Sequence, residues 1–294
     1  MNSFSDLISN LGLELSFFEL MGGLIACVFA VLMGVFLARK QARTFGDLKQ
    51  GGASVNFADY GDMRYLHLGT PWVQGSMKIS KPFEIHLDYV QRMMAWMLFV
   101  DLSQIKYLRA MQLGLGAGAL TKFCHHHLGM TTTVVELNPE VISTCKQWFN
   151  LPQEDERLQI VLGDAAQVIQ QNTWQQQIDV LQVDLYDHEA ARPVLDSEDF
   201  YQDCRQLLTV NGCMAVNLFG RESCFEQSLK NITRVFGEDC VWAFKPTKAG
   251  NTIVIAFSKQ RTLDKATLST NAQKIEKLWP LPATQWVKIF APVH

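Results

Sequence analysis

The stretch Leu108–Glu140, LRAMQLGLGAGALTKFCHHHLGMTTTVVELNPE, constrains this chain more than any other. It reads as a buried strand, a glycine loop, a helix, a second strand and an acidic residue where that strand ends. Gly114, Gly116 and Gly118 fall between the last strand residue, Leu113, and the first helical one, Ala119. Glycines at such a junction let the backbone pass close to a ligand and present N–H groups to it. Glu136 lies 22 residues after Gly114, near the ~20-residue offset at which an acid takes ribose hydroxyls in nucleotide-binding βαβ units. Packing alone would account for the glycines. Together with the strand context and the spacing, they predict a nucleoside-type cofactor site.

The pattern continues downstream. Apolar, β-branched runs appear at LQIVLGD, ending at Asp164, at IDVLQVD, ending at Asp184, and from Gly212 to Leu218. CVWAFKP and NTIVIAFSK read as a closing antiparallel pair. Strands alternating with helices predict a Rossmann-like α/β domain with a mainly parallel, doubly wound sheet. Ligands bind such sheets outside the carboxyl ends of the strands, at the switch in strand order. Glu136, Asp164, Asp184 and Asp187 all fall at strand carboxyl ends, and that coincidence is the main functional signal.

With 294 residues, the chain can hold one large α/β core and a smaller accessory piece. A net charge of −3 gives no basic footprint for nucleic acid. Its seven cysteines are scattered without a CxxC, which fits a reducing compartment and offers neither a disulfide framework nor a zinc site. His125, His126 and His127 are adjacent, so they face different sides and cannot ligate one metal as i, i+4 pairs do. They are read as a polar helix end, and no metal is expected.

Four segments are expected: 1–43, 44–81, 82–260 and 261–294. In the first, residues Leu20 to Ala38 carry no charged side chain, and 19 residues at ~1.5 Å each reach ~28 Å, about a bilayer's hydrocarbon thickness. Arg39, Lys40 and Arg43 follow it and Asp6, Glu14 and Glu19 precede it. The expectation is a transmembrane helix with its C-terminal side in the cytoplasm, anchoring a cytoplasmic catalytic domain. Residues 44–81 read as a small antiparallel β module, with turns at Tyr60-Gly-Asp-Met and Gly69-Thr-Pro. A helix from about His86 to Leu102 should follow, carrying Tyr89 and a stripe of methionines. The tail, with a helix near Ala266–Leu278, reads as a packing or homo-oligomer element.

From about Ser54 to Lys259 the order of these pieces resembles the spermidine synthase (polyamine aminopropyltransferase) family. The resemblance rests on Trp72-Val73-Gln74, Tyr89, Leu113-Gly-Leu-Gly-Ala-Gly, Val135-Glu136-Leu137, Gly163-Asp164-Ala165 and Asp184-Leu-Tyr-Asp187. It implies aminopropyl transfer from decarboxylated S-adenosylmethionine to a small-molecule amine, with no metal. Glu136 would hold the ribose hydroxyls, Asp164 the adenine amine, and Gln74 the cofactor from the β module. Asp187 would serve as the base, Asp184 would support it, and Tyr89 and Tyr186 would line the substrate. Alignment and an unprotonated amine are what an in-line displacement at a sulfonium needs, and a carboxylate supplies the second.

The chain departs from the family in three places. Ala117 stands where the family's glycine loop carries an acid, Gln91 replaces the glutamate of Tyr-x-Glu, and Pro246-Thr-Lys-Ala-Gly250 replaces an aromatic segment. Ala117 leaves open a second reading, an S-adenosylmethionine-dependent methyltransferase on the same fold. A third is a membrane-tethered, non-catalytic nucleoside-binding protein.

Overall fold

The computed structural model describes residues 54–186, 195–219 and 222–293, all in one compact unit. Among them no helix is long and apolar enough to cross a membrane. The expected span at Leu20–Ala38 and the proposed base Asp187 lie outside the described residues.

Three short strands, β1 (Val55–Tyr60), β2 (Met63–Leu68) and β3 (Val73–Lys78), form an antiparallel meander. Gly61, at φ 59°, takes the left-handed position of the first turn. So small a sheet is not stable by itself. It buries Leu66 and Met77 against Leu115, Ala117, Val141 and Phe149 of the larger domain. Arg64 fixes this docking. Its guanidinium grips both Asp59 oxygens at 2.7 and 2.8 Å, donates to the Trp148 carbonyl at 2.6 Å, and lies 4.6 Å from the Phe57 ring centroid.

The larger sheet has eight strands, β4 (Arg109–Leu113), β5 (Thr131–Glu136), β6 (Leu158–Leu162), β7 (Ile178–Val183), β8 (Leu208–Phe219), β9 (Val241–Phe244), β10 (Asn251–Phe257) and β11 (Phe290–Pro292). Their order is β11-β9-β10-β8-β7-β4-β5-β6. The run from β8 to β6 is parallel, and β10, β9 and β11 continue it antiparallel. Helices α1 (Asp88–Arg92), α2 (Ala119–Lys122), α3 (Pro139–Trp148), α4 (Ala165–Val168), α5 (Glu198–Leu207), α6 (Glu222–Phe236), α7 (Lys265–Leu278) and α8 (Ala283–Trp286) make the connections. Apolar clusters fill both faces: Met93–Leu98, Phe123, Ile275 and Trp286 on one, Leu113, Val183, Phe200 and Ile232 on the other. The sheet is therefore doubly wound. Strand order reverses between β4 and β7, so the crevice for a ligand opens there.

Two local expectations are corrected. The helix from His86 to Leu102 does not form as one piece: α1 ends at Arg92 and a 3₁₀ turn covers Ala95–Phe99. Gln182 of β7 donates its side-chain amide to the Met93 carbonyl at 3.4 Å, and Met97 N–H bonds Met94 O in the tighter i, i+3 pattern. Met93 to Leu98 are buried on every side rather than along one stripe. Of the three histidines read as a polar helix end, His126 is exposed and His127 half-buried, but His125 is not. They sit in a π turn at Phe123–His127, where His125 is buried with Nε2 3.1 Å from Asp155, and His126 stacks on Phe83 at 4.0 Å. The tail also does more than its one predicted helix suggests, since β11 pairs with β9 and becomes the sheet's last strand.

Candidate active site

The glycine loop is held from both sides. Gly114, at φ 90°, lies so close to the Asp184 carbonyl that a Cβ would overlap it. Asp184 N–H bonds Leu113 O at 3.0 Å and Gly114 N–H bonds Val135 O at 2.9 Å, tying the ends of β4, β5 and β7 together. A Cβ on Gly116 would come within 3.1 Å of Gln74 O, and one on Gly75 within 2.7 Å of both the Ala117 methyl and its nitrogen. Strand β3 thus lies directly on the loop, which is how the β module reaches the site. Gly118, at φ 70°, starts α2 and packs near Leu151. It serves the turn and is not part of the cleft wall.

A cleft of about 700 Å³ opens over these strand ends. Gln74, Tyr89, Gly114, Gly116, Glu136, Asp164, Asp184 and Tyr186 all line it, so those predicted residues converge. At one end, Glu136 accepts from Leu115 N–H at 2.9 Å through Oε2 and from Asn138 N–H at 2.8 Å through Oε1. Burial pushes its pKa up while these amides pull against it. Its remaining lone-pair capacity is open to hydroxyl donors. Asp164 caps α4, its Oδ1 accepting from Ala166 N–H at 2.9 Å.

At the other end, Asp184 accepts from Asn217 Nδ2 at 2.9 Å and from the Tyr89 hydroxyl at 3.3 Å. Desolvation raises its pKa against those two bonds, and burial, helped by the adjacent carboxylate, pushes Tyr89 well above the usual phenol range. Asn217 is itself fixed: its side-chain oxygen accepts from Asn251 Nδ2 at 3.1 Å, and its carbonyl accepts from the Tyr186 hydroxyl at 2.8 Å. A chain of polar groups therefore runs across three strand ends from Asn251 to Tyr89.

Against known proteins, the sequence model of the spermine/spermidine synthase domain matches residues 100–268, more than half the chain. The chain belongs to the spermine/spermidine synthase family. The polyamine aminopropyltransferase of Neisseria meningitidis serogroup B is 32% identical over 250 residues, 83% of this chain and 92% of that protein. The crystal structure of a probable spermidine synthase from Corynebacterium glutamicum superposes with a TM-score of 0.64 at 17% identity, over 84% of this chain and 92% of the other. Human Methyltransferase-like protein 13, solved with SAH, gives 0.59 at 22% identity over 66% of this chain and 92% of its own. The two structural likenesses bear on the fold alone. They agree with the spermidine synthase and methyltransferase-like α/β architecture.

Within this spermidine synthase fold, some of the site was not legible in the motifs. Asn217 and Asn251 were missed, although an amide inside the apolar runs AVNLF and NTIVIAF is a signal, because a buried polar group needs a partner. Gln91, which replaces the family's glutamate, is not among the residues lining the cleft. Its amide donates to Ile85 O at 2.9 Å and pins the segment before α1. Nearby, Asp88 is paired with Arg92 at 2.7 Å. Among the described residues no cluster of three or more His, Cys, Asp or Glu could hold a metal ion.

Proposed function

We propose that this chain transfers an aminopropyl group from decarboxylated S-adenosylmethionine to a small amine, a step of polyamine biosynthesis. One observation carries the reading: a single cleft holds a carboxylate seated on backbone amides of the glycine loop and of the β5 end, Glu136, and, across the strand-order switch, the buried carboxylate Asp184. The first suits ribose hydroxyls. The second suits a cation.

In this reading Glu136 binds the ribose, Asp164 accepts from the adenine amine, and Gln74 contacts the nucleoside from β3. Asp184, Tyr89 and Tyr186 hold the amine in line with the sulfonium, and Asp187 takes the proton as the nitrogen attacks. The C–S bond breaks as the C–N bond forms, and methylthioadenosine leaves as a neutral thioether. Most of the catalytic work is then alignment and the choice of protonation state. The sequence-derived division into an anchor, β module, catalytic domain and tail is part of the same reading, with residues 20–38 tethering the enzyme to the inner membrane face. Carbonate washing should leave the full chain in the membrane pellet and release one lacking residues 1–43.

Calorimetry with decarboxylated S-adenosylmethionine, S-adenosylmethionine and methylthioadenosine tests the donor. Absence of heat with all three would refute the functional assignment. Asp187→Asn should abolish transfer while methylthioadenosine affinity stays within a few-fold, and surviving turnover would move the base elsewhere. Methyl transfer from intact S-adenosylmethionine is the second reading. Ala117 favours it, because a methyl group there presents no charge to a donor carboxylate.

A further inference from the structure

Gln112 of β4 and Gln182 of β7 are register partners on neighbouring strands, and both are fully buried in the core. Neither lines the cleft. Gln112 Nε2 donates to Gln182 Oε1 at 2.9 Å, and the Thr121 hydroxyl of α2 donates to Gln112 Oε1 at 3.4 Å. Gln182 Nε2 donates to the Met93 carbonyl at 3.4 Å and to Met94 Sδ at 3.2 Å, while Cys124 Sγ donates to Gln182 Oε1 at 3.6 Å. All four hydrogen-bonding positions of the Gln182 amide are therefore used. Two apolar side chains would fill the same space with no amide to desolvate. What the amides add is direction, because a fully paired buried network fixes one arrangement of the elements that it joins.

We infer that Gln182 is a positioning residue for the transfer reaction: held by Gln112, it sets α1 against β7 so that the Tyr89 hydroxyl meets Asp184. The inference rests on the aminopropyl-transfer reading, in which Tyr89 and Asp184 hold the amine. Alternate residues of a strand share a face and stand ~6.6 Å apart. Residues four apart on a helix also share a face, one turn or ~5.4 Å apart. Gln182 and Asp184 are such a pair on the strand side, and Met93 and Tyr89 on the helix side. Two rungs thus cross from β7 to α1, Gln182 to Met93 and Asp184 to Tyr89. The helix couples them, since Met93 N–H donates to Tyr89 O at 3.0 Å. The Asp184–Tyr89 rung is 3.3 Å long, already stretched for a hydroxyl donor, so a small drift of α1 breaks it. The other rung lies in the core, where no substrate reaches it, and holds α1 in place. Gln112 is also two residues before Gly114, so the same network fixes the strand from which the glycine loop departs.

The test uses the full-length protein and three measurements: transfer from decarboxylated S-adenosylmethionine to a panel of straight-chain diamines, methylthioadenosine affinity by calorimetry, and thermal melting. Gln182→Met nearly keeps the volume but strips the Gln112 amide of its partner. It should lower kcat roughly tenfold, the scale of a misplaced reacting group, and lower the melting temperature, with methylthioadenosine affinity unchanged. The paired variant Gln112→Met/Gln182→Met leaves no lone amide, so it should regain most of the lost melting temperature while kcat stays low. In a Tyr89→Phe background, Gln182→Met should change kcat by no more than about twofold, because the bond that it positions is already gone. Recovery of kcat together with melting temperature in the paired variant would reduce the two amides to packing and overturn the inference. So would wild-type kcat in Gln182→Met, or an equal loss with and without the Tyr89 hydroxyl. Wild type that transferred to none of the amines would refute the functional reading itself, and the inference with it.

Discussion

Lys122 offers the sharpest physical test of the structure. It is 1% exposed, lies under the glycine loop on α2, and donates from Nζ to the Phe149 carbonyl at 2.7 Å. Burial lowers its pKa from 10.5 to about 8. A folded-state pKa below the unfolded one means that the native protein binds fewer protons between those values, so this group's contribution to stability improves as pH rises. The full penalty at neutral pH is about 3.4 kcal/mol, from about 2.5 units at 1.36 kcal/mol each. Linkage leaves roughly 1 kcal/mol of it at pH 10, so about 2.5 kcal/mol is relieved across that window.

Lys122→Met removes the charge and nearly preserves the volume, but leaves the Phe149 carbonyl unpaired at a cost of ~1–3 kcal/mol. The informative quantity is therefore the pH dependence of the difference between variant and wild type. Cys145, which interacts with Lys122, and Cys124 and Cys213 are each pushed up to about 12 by burial. Their thiols destabilise the fold above the unfolded thiol pKa, equally in both proteins, and cancel. Urea unfolding of both proteins under reducing conditions, at pH 7, 8, 9 and 10, should show the variant's relative stability falling by roughly 2.5 kcal/mol. A pH-independent difference would mean that water reaches the ammonium and that burial does not lower its pKa.

Other outcomes follow from the cleft. Asn217→Leu removes a bond that lowers the Asp184 pKa, so the acid limb of kcat/KM should move to higher pH with little change in KM; an unmoved limb would detach Asn217 from Asp184. Glu136→Gln should weaken methylthioadenosine roughly 10–100-fold, the scale of hydrogen bonds to a charged acceptor, and unchanged affinity would dismiss Glu136 as the ribose ligand. Gly114→Ala combines a positive φ with overlap on the Asp184 carbonyl and should destabilise by roughly 2–4 kcal/mol in thermal melts.

The sequence by itself determined the sheet and one half of the site. Runs such as Thr131–Glu136 and Ile178–Val183 are short and rich in β-branched residues, and local pattern is enough to name them as buried parallel strands. Because ligands bind at strand carboxyl ends, knowing where those runs stop locates Glu136, Asp164 and Asp184 without any contact information. Local pattern could not foresee contacts made between distant segments. Met93 to Leu98 has helical composition, but Gln182, 89 residues further on, takes the Met93 carbonyl and the helix breaks. Of the three histidines only His125 is buried, because a π turn carries it inward to Asp155. Asn217 and Asn251 are far apart in sequence and meet only because β8 and β10 pair antiparallel. The motif around the glycine loop thus announces a nucleoside. The other end of the cleft, with Tyr89, Asp184 and Asn217, exists only once three separate segments are packed, because its hydrogen bonds span up to 95 residues of chain.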